Sequence, residues 1–161
     1  MSKLVGAELP EELFLKLNGA DLEAGAGKVI LLSTPDAAGW PHMAMLSYFE
    51  VVAKDRCNIR LATYKNSTTT NNMRQTGKLT LSIIDIGMAY YVKGRVREIK
   101  AEMEGARHNS MWNMEVEQVL SDHADEQMEA TAYIAAGVTY SSLDWPADLL
   151  RGKVVLKELL E

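Results

Sequence analysis

The sequence predicts a mainly β protein, an antiparallel β-barrel with short helical additions. Strand-like runs follow one another in nearly sequential order, punctuated by turn signals. The first of these runs lack the helical crossovers that a parallel α/β sheet would need between them. The helix-like segments are short and lie between strands.

The order of elements follows from local chemistry. "LPEELFLKLNG" predicts a short helix: Pro10 is tolerated in a first turn, Glu11 and Glu12 complement the dipole, and Gly19 can end it. Leu9, Leu13, Phe14 and Leu17 form its apolar face. After the loop "ADLEAGAG", strands are predicted at 28–34, 42–53 and 58–64, separated by "PDAAGWP" and "KDRC". Gly77 reads as a helix C-cap, which places a short helix at roughly 67–75. "KLTLSII" (78–84) and "MAYYVKGRVREIK" (88–100) are two strands joined by a turn from Asp85 to Gly87. "MWNMEVEQVL" (111–120) alternates, with Trp112, Met114 and Val116 inward and Asn113, Glu115 and Glu117 outward, which favours a further strand over a helix. Residues 101–111 and 124–137 have helical character. Asp144 and Pro146 open a short helix through Arg151, before an apolar strand or tail from Lys153 to Leu160.

At 161 residues the chain suits one domain, 1–161, of ordinary globular composition, with 47% hydrophobic and 24% charged residues. A net charge of −5 gives no general attraction to nucleic acid or to an anionic membrane, so an anionic ligand needs a local site. Cys57 is the only cysteine and excludes an intrachain disulfide. With no apolar signal core in "MSKLVGAELPEEL" and no run of transmembrane length, the expected location is the cytoplasm.

The most unusual stretch is "LATYKNSTTTNNMRQTGKLTLSII" (61–84), which crowds Ser67, Thr68, Thr69, Thr70, Asn71 and Asn72 together. Three threonines are poor helix-interior material, because each loses rotamer freedom and offers a competing hydroxyl. At a helix start the balance changes. Ser67 or Asn66 can act as N-cap, and the unpaired first-turn amides, the positive helix end and the hydroxyl donors together suit a phosphate. Ser and Thr at this place are also common as simple caps.

In context, the stretch resembles the pyridoxamine 5′-phosphate oxidase-like flavin-binding split-barrel superfamily over most of residues 26 to 100. "PHMAMLS" (41–47) resembles its first flavin-lining strand, 59–84 its strand, phosphate turn, helix and next strand, and "YYVKGRVREI" (90–99) the strand after that. The resemblance implies an antiparallel split β-barrel and a homodimer with FMN in clefts at the subunit interface. It implies that Met45, Leu46 and Ser47 lie beside the isoalloxazine ring. Ala62, Thr63 and Tyr64 would then run along the flavin tail, and Ser67, Thr68 and Thr69 would hold the phosphate. Asn71 and Asn72 are weaker candidates, and on aromatic character alone Trp112 or Trp145 is expected to reach the partner's flavin.

The chain departs from the vitamin B6 oxidases of that superfamily. They usually carry Arg where His42 stands, Lys where Ser47 stands, and basic residues at Thr68 and Thr69. Phosphate binding here would rest on neutral donors, roughly half as strong as charge-assisted ones, unless Arg60, Lys65 or Arg74 compensates. "DWPADLLRGKVVLKELLE" also lacks the Arg-rich substrate signature. The expectation is an FMN-dependent oxidoreductase passing electrons between a donor and a small acceptor, not a vitamin B6 oxidase. A non-enzymatic flavin or haem module and a deazaflavin-dependent reductase are the alternatives.

Other motifs point less far. His42, His108 and His123 lack metal-ligand spacing and read as surface or structural residues. "GAGK" (25–28) lacks the length and following Ser/Thr of a phosphate loop. The nine methionines read as core filler, although Met43 and Met45 share a strand face that suits a flavin ring. Cys57 has no paired base, and no catalytic constellation is legible.

Overall fold

The computed structural model describes residues 1–124 and 127–161. The elements are β1 (Ser2–Gly6), α1 (Glu11–Leu17), α2 (Leu22–Gly25), β2 (Val29–Pro35), β3 (Pro41–Ser47), β4 (Val51–Ala53), β5 (Asn58–Tyr64), α3 (Thr68–Thr76), β6 (Lys78–Asp85), β7 (Met88–Lys100), β8 (Asn109–Asp122) and α4 (Trp145–Leu160). The strands form one eight-stranded sheet in the order β3-β2-β6-β7-β8-β5-β4, with β1 also paired to β8. Every named pairing is antiparallel. The sheet curls into the half-barrel of a split-barrel fold.

The long strands β7 and β8 let the sheet close on itself. Along one edge β8 pairs with β5 through residues 109–115 and then with β1 through 119–122, while β7 runs the length of its other edge. The β7–β8 register shifts between Lys93 and Gly94. A Cβ at Gly94 would stand 2.2 Å from the Glu115 carbonyl oxygen, so only glycine fits where the strands approach at this irregularity.

Alternation along the strands fills the barrel. Ile30, Leu32, Ile59, Leu61, Leu81, Ile83, Val92, Trp112 and Met114 point into the main core, and α1 adds Leu13 and Leu17, with Leu9 just before it. Phe14 packs against this core from its edge, as the apolar face of "LPEELFLKL" predicts. A second, smaller core lies on the other side of β5 and β8, where Val52, Ala62, Met103 and Met111 meet Val155, Leu156 and Leu159 of α4. Beside α1, Asp85 Oδ2 accepts from Lys16 Nζ at 2.5 Å and from Lys28 Nζ at 2.7 Å. Burial alone would raise the Asp85 carboxyl, but these hydrogen bonds outweigh it and hold the group well below the usual carboxylate range.

Several expectations are corrected. The run 42–53 is two strands, because the Ser47 amide and hydroxyl both donate to Glu50 Oε2 (2.7 and 2.8 Å) and Glu50 N donates back to the Ser47 carbonyl. That closed turn ends β3 and restarts the chain as β4. Residues 101–108 form turns instead of a helix, with Met103 N donating to the Asn109 carbonyl and Asn109 N to that of Ala106. Residues 153–160 continue α4 instead of forming a strand. Val155, Leu156 and Leu159 recur at helical spacing, Lys153 and Lys157 face solvent, and the Val-Val pair gives a false β signal. The helical reading of 124–137 falls partly on Asp125 and Glu126, outside the described residues; 127–137 holds turns and irregular chain. The strand β1 was not anticipated.

No described helix is long and apolar enough to cross a membrane.

Candidate functional site

The β5 strand sorts the predicted cofactor residues between two faces. Side chains alternate along a strand, so Ile59, Leu61 and Thr63 face the main core side while Arg60, Ala62 and Tyr64 face α4. Arg60 confirms this orientation by donating to the Leu159 carbonyl of α4 at 3.1 Å. Ala62 is closed beneath α4 in the second core. Thr63 is buried too, its hydroxyl 2.6 Å from that of Thr70. Of the three residues predicted along a flavin tail, only Tyr64 is open, with 68% of its surface exposed.

The threonine cluster divides in the same way. Ser67 is the N-cap of α3, its Oγ accepting from Thr70 N at 3.2 Å, and Gly77 ends the helix at φ 63°. The Thr70 hydroxyl donates to the Tyr64 carbonyl, Thr69 is buried, and Asn72 donates from Nδ2 to Thr34 Oγ1. Thr70 and Asn72 therefore lock α3 onto the barrel. Thr68 and Asn71 are exposed, Ser67 is half-exposed, and the first-turn amides of Thr68 and Thr69 have no intrahelical acceptor. The nearby cations are committed elsewhere. Arg74 pairs with Glu98 at 2.5 Å, Lys65 pairs with Glu102 at 2.5 Å, and Arg60 binds α4. An anion at this helix start meets neutral donors and the helix dipole.

A cleft of about 910 Å³ opens beside these elements. Met45, Leu46 and Ser47 from the end of β3 form one wall, with Tyr64 at the end of β5. The Gly105–Asn109 turn, residues 138–140 and the first half of α4 complete the lining. Thus Met45, Leu46, Ser47 and Tyr64 share one cavity. Ala62, Thr63, Ser67, Thr68, Thr69 and Asn71 do not line it.

Glu50 also lines the cleft, and burial raises its carboxyl against the lowering effect of the Ser47 amide and hydroxyl. The amide, hydroxyl and carbonyl of Ser47 are all engaged by Glu50, so what Ser47 can offer a ring is chiefly its packing surface. Asp148 is held by Ser142 and Arg151. Tyr140 stacks at a tilt on Trp145, ring centroids 5.4 Å apart. Trp112 lies in the main core at 1% exposure and cannot reach a partner's ligand. Lys28 of "GAGK" serves the Asp85 ion pair. Among the described residues no group of three or more His, Cys, Asp and Glu side chains could hold a metal ion.

Sequence reasoning missed Glu50, Arg107, Tyr140, Asp148 and Arg151 on the cleft walls, and read His108 as a surface or structural residue. His108 and Tyr140 arrive on irregular segments and Asp148 and Arg151 on α4, all through long-range folding, and no local pattern marks them. The isolated bridge between Lys28 and Thr139, with Tyr140 N donating to the Gly27 carbonyl, brings 138–140 to the cleft.

The sequence model of the pyridoxamine 5′-phosphate oxidase family matches residues 25–137, from α2 through all of β2–β8. A relative from Bacillus subtilis (strain 168), the uncharacterized protein YclD, is 39% identical over 85 residues, which cover 53% of this chain and 55% of that one. The chain thus aligns with about half the length of that relative. Among solved structures, a proposed pyridoxamine 5′-phosphate oxidase from Lactobacillus delbrueckii matches with a TM-score of 0.57 at 20% identity, over 74% of this chain and 98% of its own. An FMN-binding protein from Syntrophomonas wolfei matches at 0.53 and 15%, over 71% of this chain and 88% of its own. The heme storage protein HutZ from Vibrio cholerae matches at 0.50 and 11%, over 68% and 92%. At these identities the likeness to solved structures carries the fold alone.

Proposed function

The chain belongs to the pyridoxamine 5′-phosphate oxidase family, and from that premise we propose that it binds FMN and passes electrons between a donor and a small acceptor, without being a vitamin B6 oxidase. The observation that carries this reading is the cleft in which Met45, Leu46, Ser47 and Tyr64 meet. Its volume of about 910 Å³ lies in the upper part of the usual range for small-molecule sites. Its lining is chiefly apolar, as a flat ring system requires.

When bound, FMN supplies the redox chemistry, and the polypeptide holds and orients it. In this reading Met45 and Leu46 pack against the ring, and the Ser47–Glu50 turn fixes the strand end beneath it. Thr68 and Asn71 offer exposed donors to the phosphate, Ser67 keeps a hydroxyl hydrogen for it, and Thr69 contributes its amide. Ala62 and Thr63 act as scaffold: Ala62 seats α4, and Thr63 fixes α3 through Thr70. His42 and Ser47 supply neither cation of the vitamin B6 oxidases, which supports a different acceptor.

A homodimer belongs to the same reading. The edge strand β3 leaves Met43 (54%) and Met45 (66%) exposed, with Trp40 (72%) in the adjoining turn. Such an apolar edge beside the cleft suits a second copy of the chain. The cytoplasm remains the proposed location.

FMN titration followed by flavin fluorescence tests the proposal, with riboflavin as the phosphate-free control. FMN should bind more tightly than riboflavin. Replacing Ser67 and Thr68 together by Ala should narrow that difference by about 1 kcal/mol per hydrogen bond lost. Equal affinity for the two flavins in the unmodified protein would remove the phosphate site. A haem-binding module is the second reading, favoured by the exposed His108 on the cleft wall.

A further inference from the structure

The cleft's second wall has a chemistry that the flavin reading leaves unused. It joins the Gly105–Asn109 turn to the first half of α4: a Cβ built on Gly105 would lie 2.7 Å from Val154 Cγ1, so the two segments are in contact. The α4 part lies beyond residue 137, where the family match ends. The Gly105–Asn109 part lies within that match.

The turn is pinned before any ligand arrives. Glu158, buried on α4, accepts from Lys100 Nζ, Glu104 N and Gly105 N, each at 2.9 Å. Asn109 N donates to the Ala106 carbonyl, and Lys65 N donates to that of His108. On this fixed turn stand Arg107 and His108, both exposed and lining the cleft. Among the described residues neither makes an ion pair, whereas Lys65, Lys100 and Arg151 around them each hold a carboxylate. The cleft's own acids are already engaged: Asp148 by Ser142 and Arg151, Glu50 by Ser47. Glu102, whose carboxyl is lowered first by Lys65 and less by Arg107 and His108, is held by Lys65. Phe49, Leu150, Val154 and Val155 supply apolar surface beside the Arg107 guanidinium and the His108 imidazole.

We propose that this wall is a second subsite in the cleft, taking a flat apolar small molecule that carries one carboxylate or phosphate group, with Arg107 and His108 as its anion partners. A fixed turn bearing uncommitted hydrogen-bond donors, one of them a guanidinium, spends little ordering entropy on binding. A charge-assisted hydrogen bond in a half-enclosed apolar site is also stronger than one in open water. The subsite does not depend on the flavin reading.

The test is isothermal titration of the full chain with 2-naphthoate and with its neutral analogue 2-naphthalenemethanol, first without added flavin and then with saturating FMN. The anion should bind about tenfold more tightly than the alcohol. Arg107→Ala combined with His108→Ala, both at exposed positions, should abolish that preference and leave the affinity for the alcohol unchanged. Leu150→Asp should weaken the anion more than the alcohol. Equal affinity for the two probes, no binding of either, or a preference that survives the double substitution would overturn the subsite, as would competition between naphthoate and FMN. If FMN itself fails to bind, the flavin reading alone falls, and the naphthoate preference still decides the subsite.

Discussion

Ser67 and Thr68 are neighbours with separable duties. Ser67 caps α3 through Thr70 N, so Ser67→Ala should cost about 1 kcal/mol of stability, read as a lowered denaturation midpoint. Thr68 is exposed on the first turn, so Thr68→Ala should leave that midpoint unchanged and weaken FMN about fivefold. A destabilised Thr68→Ala protein with intact flavin affinity would reverse the assignment. The sequence made the cluster visible but not this division, because which hydroxyls face the barrel depends on the angle at which α3 lies on it. Thr70 and Asn72 spend their polar groups on Thr63, Tyr64 and Thr34, residues that only the folded sheet brings near.

Asp85 carries a second residue-scale prediction. Its folded carboxyl lies below the unfolded value, so its contribution is full at neutral pH. That contribution is lost as pH falls below about 4, where the unfolded chain takes up a proton and the folded chain does not. Thermal unfolding followed from pH 7 downwards should show the loss in the unmodified protein. The curve should be flatter with Asp85→Asn, which should also cost about 2–3 kcal/mol at pH 7 by stranding Lys16 and Lys28. Identical pH profiles for the two proteins would deny the ion pair its role.

At the scale of elements, the strands with clear alternation were legible and those ended by a side-chain turn were not. β5, β6 and β7 lie where period and turn signals placed them, within a residue or so. The break after β3 depends on Glu50 folding back on Ser47, an interaction that hydrophobic pattern does not encode. The second half of α4 was misread because a short apolar run has no unambiguous period, and its burial depends on Ala62 and Met111 from distant strands. Gly94 lies in "YYVKGRVREI", the strand that resembles the family's, and its place there has a physical reason. The Glu115 carbonyl oxygen would stand 2.2 Å from a Cβ built there. Gly94→Ala should therefore force β7 from β8 at a cost of about 2–3 kcal/mol, measured by denaturant unfolding. A neutral substitution there would mean that the strands separate easily.

For the whole molecule, the sequence order of strands was enough to anticipate a curled antiparallel sheet, and the family match over 25–137 agrees with it. What composition and pattern left open is the cleft, because most of its lining comes from irregular chain and a helix that packs at long range. The exposed β3 edge makes assembly part of the functional claim. Trp40→Glu with Met43→Glu should yield a monomer by light scattering and release FMN, and tight FMN binding by that monomer would refute an interfacial site.

The most direct measurement is the visible absorption spectrum of the purified protein, before and after addition of FMN and removal of the excess. Two retained flavin bands, in the near-ultraviolet and the blue, are expected at one FMN per chain. A spectrum that stays blank after FMN addition, or a sharp haem band in its place, would contradict FMN binding and leave the threonine cluster as the cap of a helix.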